Sequence, residues 1–212
     1  VEGSPEEIQE IALSLGRLLR ATRRVARGLG TIRQDINVSV KGGRVVEVKG
    51  IQKLDLISKI VEFEALRQSG LMEIKNELEK RGVKPEDISS PLNVTKIFKD
   101  TECELIKKAI EKDGIVLALK LKSFSGLLGY EPYQDIRLGK EMAELVRFYG
   151  LGGIFHSDEL PGYGIKMSEI DSLKKILEIS DKDAFILLAG PKDSASDAMM
   201  ALIEREKDAL QG

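Results

Sequence analysis

Arg33, Asp35, Asn37 and Ser39 occupy alternate positions of the segment IRQDINVSV, with Ile36, Val38 and Val40 between them. On an extended strand this alternation puts the polar groups on one face and the apolar groups on the other. Lys41-Gly42-Gly43 reads as a turn, and the run from Arg44 to Lys49 that follows would bring Glu47 and Lys49 to the same polar face of a hairpin. A carboxylate, an amide, a hydroxyl and cations would then share one surface. Asp and Asn supply hard oxygen ligands, and Arg and Lys neutralise phosphate, so these residue types suit the positioning of a nucleotide phosphate or of a metal-bound oxygen. A half-exposed hairpin also needs a wet face, and the same alternation would serve that need alone. The presence of Asp and Asn, which strands usually avoid, weighs against the simpler account.

The elements that must hold this ribbon are also legible. Ser4 as N-cap, Pro5 in the first turn and Glu7 three residues after the cap form a capping box that opens a helix, predicted to run to about Ala26. Ile8, Ile11, Ala12, Leu15, Leu18 and Leu19 recur at helical spacing and are expected to form one buried stripe. After the hairpin, a longer helical pattern spans about Lys53 to Arg81, supported by Leu54, Ile57, Ile60, Val61 and Leu71, with Gly70 as a candidate break and Gly82 as terminator. Residues 85–91, PEDISSP, combine two prolines with polar turn formers and read as a linker.

Beyond residue 89 the texture changes. Helices at about Glu102 to Lys112, Leu138 to Tyr149 and Ser168 to Ile179, with a last one reaching about Leu210, alternate with strands at Ile115 to Lys122, Ile154 to Ser157 and the run AFILLAG. This order predicts a two-layer α+β unit, with helices packed on one face of a small sheet. The expected organisation is thus α+β throughout: residues 1–88 as helix, β-hairpin and long helix, and residues 89–212 as a second domain.

Length and composition bound the function. A chain of 212 residues can hold one large or two small cores. Its 42% hydrophobic share suits a globular protein, and no apolar run approaches the roughly 20 residues of a membrane span. No membrane segment or signal peptide is expected. A net charge of −2 means that binding of a polyanion would rest on local patches. The single cysteine, Cys103, excludes an internal disulfide framework and points to a reducing, cytoplasmic setting. The chain begins Val-Glu-Gly-Ser-Pro without an initiator Met and reads as a fragment of a longer protein.

One such patch lies between Ile11 and Gln34, where acidic residues are absent and Arg20, Arg23, Arg24 and Arg27 are expected on neighbouring positions of one helical face. The stripe suits phosphates, but on the residues alone a solvated helix face whose cations favour the helix C-terminus is the simpler account. His156 is expected as a satisfied structural histidine in a short strand, and Cys103 has no partner at metal-binding spacing. The glycines between Gly126 and Gly153 lack the order of a phosphate loop and read as turns. Asp158 and Glu159 read as a solvent-facing loop.

The wording GTIRQDINVSV, followed by GGRVVEVKG and ISKIVEFEALRQ, resembles the signature of the B/E-type subunits of tRNA-dependent amidotransferases, with a DxNVS strand followed by an E-x-K strand in a catalytic cradle. The likeness is greatest to the archaeal E type acting on glutamyl-tRNA(Gln). The later stretch FSGLLGYEPYQDIRLGKEMAELVRFYGLGGIFHSDELPGYGI resembles the insertion domain shared by bacterial-type aspartyl-tRNA synthetases and the archaeal E-type amidotransferase chains.

The resemblance implies conversion of Glu-tRNA(Gln) to Gln-tRNA(Gln). ATP, with Mg²⁺, would phosphorylate the glutamyl γ-carboxylate, and ammonia from an asparaginase-like partner subunit would displace the phosphate. It also implies catalytic roles for Asp35, Asn37 and Lys49, substrate or cofactor contacts for Arg33, Ser39 and Glu47, and tRNA contacts for Arg20, Arg23, Arg24 and Arg27. Metal ligands are unassigned, because the family's upstream His and acidic ligands are not in the chain, and the fragment alone is expected to be inactive. A non-catalytic tRNA-binding or subunit-docking module is the alternative. A piece of aspartyl-tRNA synthetase would need class II motifs flanking the second domain, and the cradle-like first segment argues against it.

Overall fold

Helix α1 (Pro5–Ala21) begins where the capping box places it: Ser4 Oγ accepts from the Glu7 N–H at 3.3 Å, and Glu7 Oε2 accepts from the Ser4 N–H at 2.7 Å. In this computed structural model, which describes residues 3–28 and 30–211, the chain divides into two compact units, residues 1–72 and 73–212. The unit boundary falls inside the long helix.

Within the first unit α1 ends short of Ala26. The Thr22 hydroxyl donates to Leu19 O at 2.6 Å and accepts from the Arg24 N–H at 3.2 Å, while Arg23 takes a left-handed conformation with φ 58°. A positive φ at a non-glycine residue cannot continue a right-handed helix. The apolar stripe is only partly buried: Ala12 is covered and Ile8 half-covered, but Leu15 is 51% and Leu18 64% exposed, with Ile11 and Leu19 exposed beside them. The expected single buried stripe is therefore corrected to a narrow contact line with an open apolar face.

Strands β1 (Gln34–Val38) and β2 (Val46–Ile51) pair antiparallel, with Ile36 opposite Val48, Asn37 opposite Glu47 and Val38 opposite Val46. The second strand starts later than the Lys41-Gly42-Gly43 turn suggests. Gln68 is the reason: its Oε1 accepts from the Val40 N–H, and its Nε2 donates to Val38 O, both at 3.0 Å. A buried side-chain amide thus completes the edge where the partner strand stops. The apolar face of the ribbon (Ile36, Val48, Ile51) packs with Ala12 and Ile8 of α1 and with Leu54, Ile57, Ile60 and Val61.

Helix α2 (Ile57–Lys80) follows a 3-10 turn at Leu54–Leu56 and runs through Gly70 without a break. It closes at Gly82, whose φ of 72° lets the Gly82 N–H reach Glu79 O and the Val83 N–H reach Leu78 O, both at 3.0 Å. This is a Schellman closure, which favours glycine at that position.

The second unit is built on a four-stranded antiparallel sheet of order β3-β4-β6-β5, formed by β3 (Leu92–Asn93), β4 (Ile115–Leu121), β5 (Phe155–His156) and β6 (Ala184–Gly190). Around it lie α3 (Glu104–Ile110), α4 (Leu138–Arg147), α5 (Met167–Ile176) and α6 (Lys192–Gln211). With sheet and helices segregated rather than wound as parallel repeats, the protein is α+β, as expected.

Residues Val116, Ala118, Phe185, Leu187 and Ala189 share a core with Ile106 of α3 and with Ile170, Leu173 and Leu177 around α5. Strand alternation sends Leu117, Leu119, Ile186 and Leu188 to the opposite face, where they are buried as well. Helix α6 contacts β4 and β6 and buries Ala195, Ala198, Met199 and Leu202 outside the first cluster, so it covers that second face. Helices thus cover both faces of the sheet rather than the one face expected, and double-sided burial explains why β4 and β6 read as continuous apolar runs. The segment after α2 is tied to β4: Asp87 accepts from Lys122 Nζ at 2.7 Å, and the Ser89 hydroxyl donates to Lys120 O at 3.1 Å.

Candidate functional site

The ribbon orders its polar groups as the alternation requires. Arg33, Asp35, Asn37 and Ser39 are exposed, Gln34 and Ile36 are half-buried and Val38 is buried, while on the paired strand Glu47 and Lys49 are exposed between half-buried Val46, Val48 and Gly50. Asn37 and Glu47 are directly opposed in the register. Lys49 Nζ lies 3.1 Å from Glu47 Oε2. Asp35 sits where the register shifts between Gln34 and Ile36, and its Oδ1 accepts from the Gly50 N–H at 2.7 Å. Such a bulge leaves one backbone group without a ladder partner, and the carboxylate supplies it. Arg33, Asn37 and Ser39 make no side-chain hydrogen bond or ion pair among the described residues. They are available to a ligand.

This face is an open surface. It offers two cations, an amide, a hydroxyl and the second oxygen of Asp35 to an anionic or polar ligand, and by itself it excludes no water. Beneath it lies a network that spacing did not reveal. Buried Gln68 also donates to Glu64 Oε1 at 2.9 Å, and Glu64 receives two hydrogen bonds from Arg67 at 2.8 and 2.9 Å. These residues fix the ribbon's end without touching its exposed face. Their only signal in sequence is a Glu and a Gln one helical turn apart on a helix that otherwise buries apolar groups.

The arginine stripe is not a helical face. Arg20 is in α1, whereas Arg23, Arg24 and Arg27 follow the left-handed turn; all are exposed, and none makes an ion pair among the described residues. Arg20 thus sits in the last turn of the helix, and the other three cations are carried on the loop after it instead of on the helical face expected.

In the second unit, Asp158 is more than a solvent-facing acid. Its Oδ1 accepts from the Gly126 N–H at 3.0 Å, and its Oδ2 accepts from the Leu128 and Gly129 N–H groups at 2.9 and 3.0 Å, so it organises the glycine-containing loop. His156 is buried in β5 and lies 3.6 Å from Glu159 through Nε2, but Nδ1 has no partner among the described residues, contrary to the expected satisfied histidine. Burial pushes its imidazole below the usual value, against the opposing influence of Glu159 and Asp158. Cys103 is buried before α3, and the described residues bring no three His, Cys, Asp or Glu side chains together to hold a metal. No described helix is long and apolar enough to cross a membrane.

An α+β chain whose antiparallel ribbon presents Asp35, Asn37, Glu47 and Lys49 matches the GatB/GatE catalytic domain over residues 2–121 and the GAD domain over residues 106–199. The chain belongs to the GatB/GatE catalytic-domain family. Within it, the sequence is 49% identical over 209 residues to the E chain of the glutamyl-tRNA(Gln) amidotransferase of Pyrococcus furiosus, covering 98% of this chain and 33% of that relative. The corresponding amidotransferase chains of Methanopyrus kandleri and Saccharolobus solfataricus are each 44% identical, over 211 and 214 residues, with 99% of this chain and 33% and 34% of theirs covered. The chain thus spans about one third of the length of the curated relatives it matches.

Proposed function

We propose that this chain works within a tRNA-dependent amidotransferase that converts Glu-tRNA(Gln) to Gln-tRNA(Gln), and that the polar face of the β1–β2 ribbon is part of the pocket where the glutamyl γ-carboxylate is activated. The gathering of Arg33, Asp35, Asn37, Ser39, Glu47 and Lys49 on one face carries this reading. A carboxylate is a poor electrophile until one oxygen becomes a phosphate leaving group, which ATP supplies. Ammonia from an asparaginase-like partner subunit then attacks the acyl carbon, and inorganic phosphate leaves.

The ribbon's contribution is electrostatic and positional. Arg33 and Lys49 neutralise charge on the transferring phosphoryl group, and Glu47 holds Lys49 in place. Asn37 and Ser39 hydrogen-bond substrate oxygens, while Asp35 keeps the bulge in register through Gly50 and presents its second oxygen to the reacting groups. Mg²⁺ does not fit the ribbon alone, since Asp35 Oδ1 and Glu47 are already engaged and no metal-holding cluster forms among the described residues. Arg20, Arg23, Arg24 and Arg27 would meet backbone phosphates of the tRNA acceptor end. Residues 1–88 then serve as cradle and 89–212 as an insertion-like domain, in the cytoplasm.

The test is to place Asp35→Ala in the intact amidotransferase and follow ATP consumption, amide formation and tRNA affinity separately. Loss of both chemical steps with tRNA affinity retained supports the reading. Unchanged turnover, with a salt-sensitive tRNA affinity carried by the arginines, would replace it with a tRNA-binding or docking module.

A further inference from the structure

The second unit contains a cavity of about 540 Å³ between α4, the loop before it and β5. One wall is cationic. Arg137, Lys140 and Arg147 all line it from α4 and its N-cap. Arg137 and Lys140 are held loosely, at 3.6 Å from Glu131 and 3.3 Å from Asp135, in exposed pairs that contribute little. Arg147 makes no hydrogen bond or ion pair among the described residues.

The acids on the same cavity are already engaged. Asp158 takes three backbone N–H groups, and Glu159 accepts from the Tyr163 hydroxyl at 3.1 Å and faces His156. The backbone also shapes the space. A Cβ on Gly139 would lie 2.7 Å from His156 Nε2 and 2.9 Å from Leu128 O, so the first turn of α4 approaches the cavity floor only because that residue is glycine. Tyr163, 61% exposed, also lines the cavity, its ring centroid 5.4 Å from that of Phe155.

We infer that this cavity binds a phosphorylated small molecule of mononucleotide size, with its phosphate on Arg147 and Lys140 and a flat ring beside Tyr163. The volume lies within the range of about 300–1,000 Å³ typical of small-ligand sites. Cations and an exposed aromatic ring lining one cavity suit the phosphate and the base of a nucleoside monophosphate. Its lining belongs wholly to the second unit, and its ligand does not depend on the amidotransferase reading.

Amide chemical-shift titration of the 212-residue chain tests the proposal, using AMP, adenosine, inorganic phosphate and a short single-stranded oligoribonucleotide as probes. Saturable shifts at Gly129, Gly152 and Gly153 with AMP, weaker with phosphate and absent with adenosine, are expected. Arg147→Gln, at an exposed position, should weaken AMP at least about tenfold, while Lys96→Gln, on an unrelated surface, leaves it unchanged. No saturable shift up to about 10 mM AMP overturns the proposal, as does an Arg147→Gln chain that binds AMP normally. A response to the oligoribonucleotide with none to AMP also overturns it, assigning the cavity to polynucleotide instead.

Discussion

Asp35 Oδ1 and the Gly50 N–H meet at 2.7 Å across the register shift of the ribbon, so a residue of the polar row also holds the strand pairing that presents the row. Asp35→Ala removes this acceptor and should cost about 1 kcal/mol of stability, read by denaturant unfolding. Asp35→Asn retains an acceptor oxygen and should restore much of the loss. A variant as stable as the parent would show that the bulge needs no side-chain support.

Gln68 performs the companion task at the other end of β1. Replacing it by Leu leaves the Val40 N–H and Val38 O without their partner and strips one donor from Glu64. A loss of about 1–3 kcal/mol is expected, together with faster amide exchange at Val40. Unchanged protection at Val40 would contradict the role assigned to the amide.

For the loop before α4, Asp158→Ala should leave the Gly126, Leu128 and Gly129 N–H groups without their acceptor. Exchange at these amides should rise, and Asp158→Asn should recover only part of the protection because the charged acceptor is gone. Equal protection in both variants and the parent would sink the assignment.

Glu206 is fully buried on α6 with neither carboxylate oxygen partnered among the described residues, and burial pushes it up to about 8 against the opposing influence of Arg205. The folded state therefore holds a proton that the unfolded chain releases above about 4.5. Between those values folding binds more protons than the unfolded state, so this group's contribution falls as pH rises from about 4.5 to about 8. Glu206→Gln should remove that downward slope in unfolding free energy against pH. An identical slope in parent and variant would show that Glu206 ionises freely in the fold.

Asp183 behaves oppositely. Burial would raise it, but hydrogen bonds from the Ser123 and Ser180 N–H groups, the Ser180 hydroxyl and Lys120 bring it down to about 2. Its contribution is present above about 3.8 and fades as pH falls toward about 2, so Asp183→Asn should flatten the acid limb of the same curve.

Much of this architecture could be read from the chain because local rules and tertiary packing agree. Ser4 and Glu7 opened α1, Gly82 closed α2, and the apolar runs of β4 and β6 announced buried strands. Where sequence reading stopped short, tertiary contacts decided. The two-residue β3 has too few residues to show a period, yet it pairs with β4. Arg23 turned out of α1 through a conformation that side-chain type does not favour. Leu15 and Leu18 follow helical spacing as well as Ala12 does, but periodicity reports which residues share a face and not whether anything covers it. The polar row was visible because a strand's two-residue period is strict; Gln68, which anchors it from thirty residues away, was not, because such contacts are set by packing.

If the ribbon's polar face handles the phosphoryl group, single-turnover ADP formation by the intact amidotransferase carrying Lys49→Ala, with bound Glu-tRNA(Gln), reports it most sharply. Loss of the Lys49 cation should slow γ-carboxylate phosphorylation by about 100-fold or more while tRNA affinity changes less than about twofold. ADP formed at the parent rate would show that Lys49 takes no part in phosphoryl transfer.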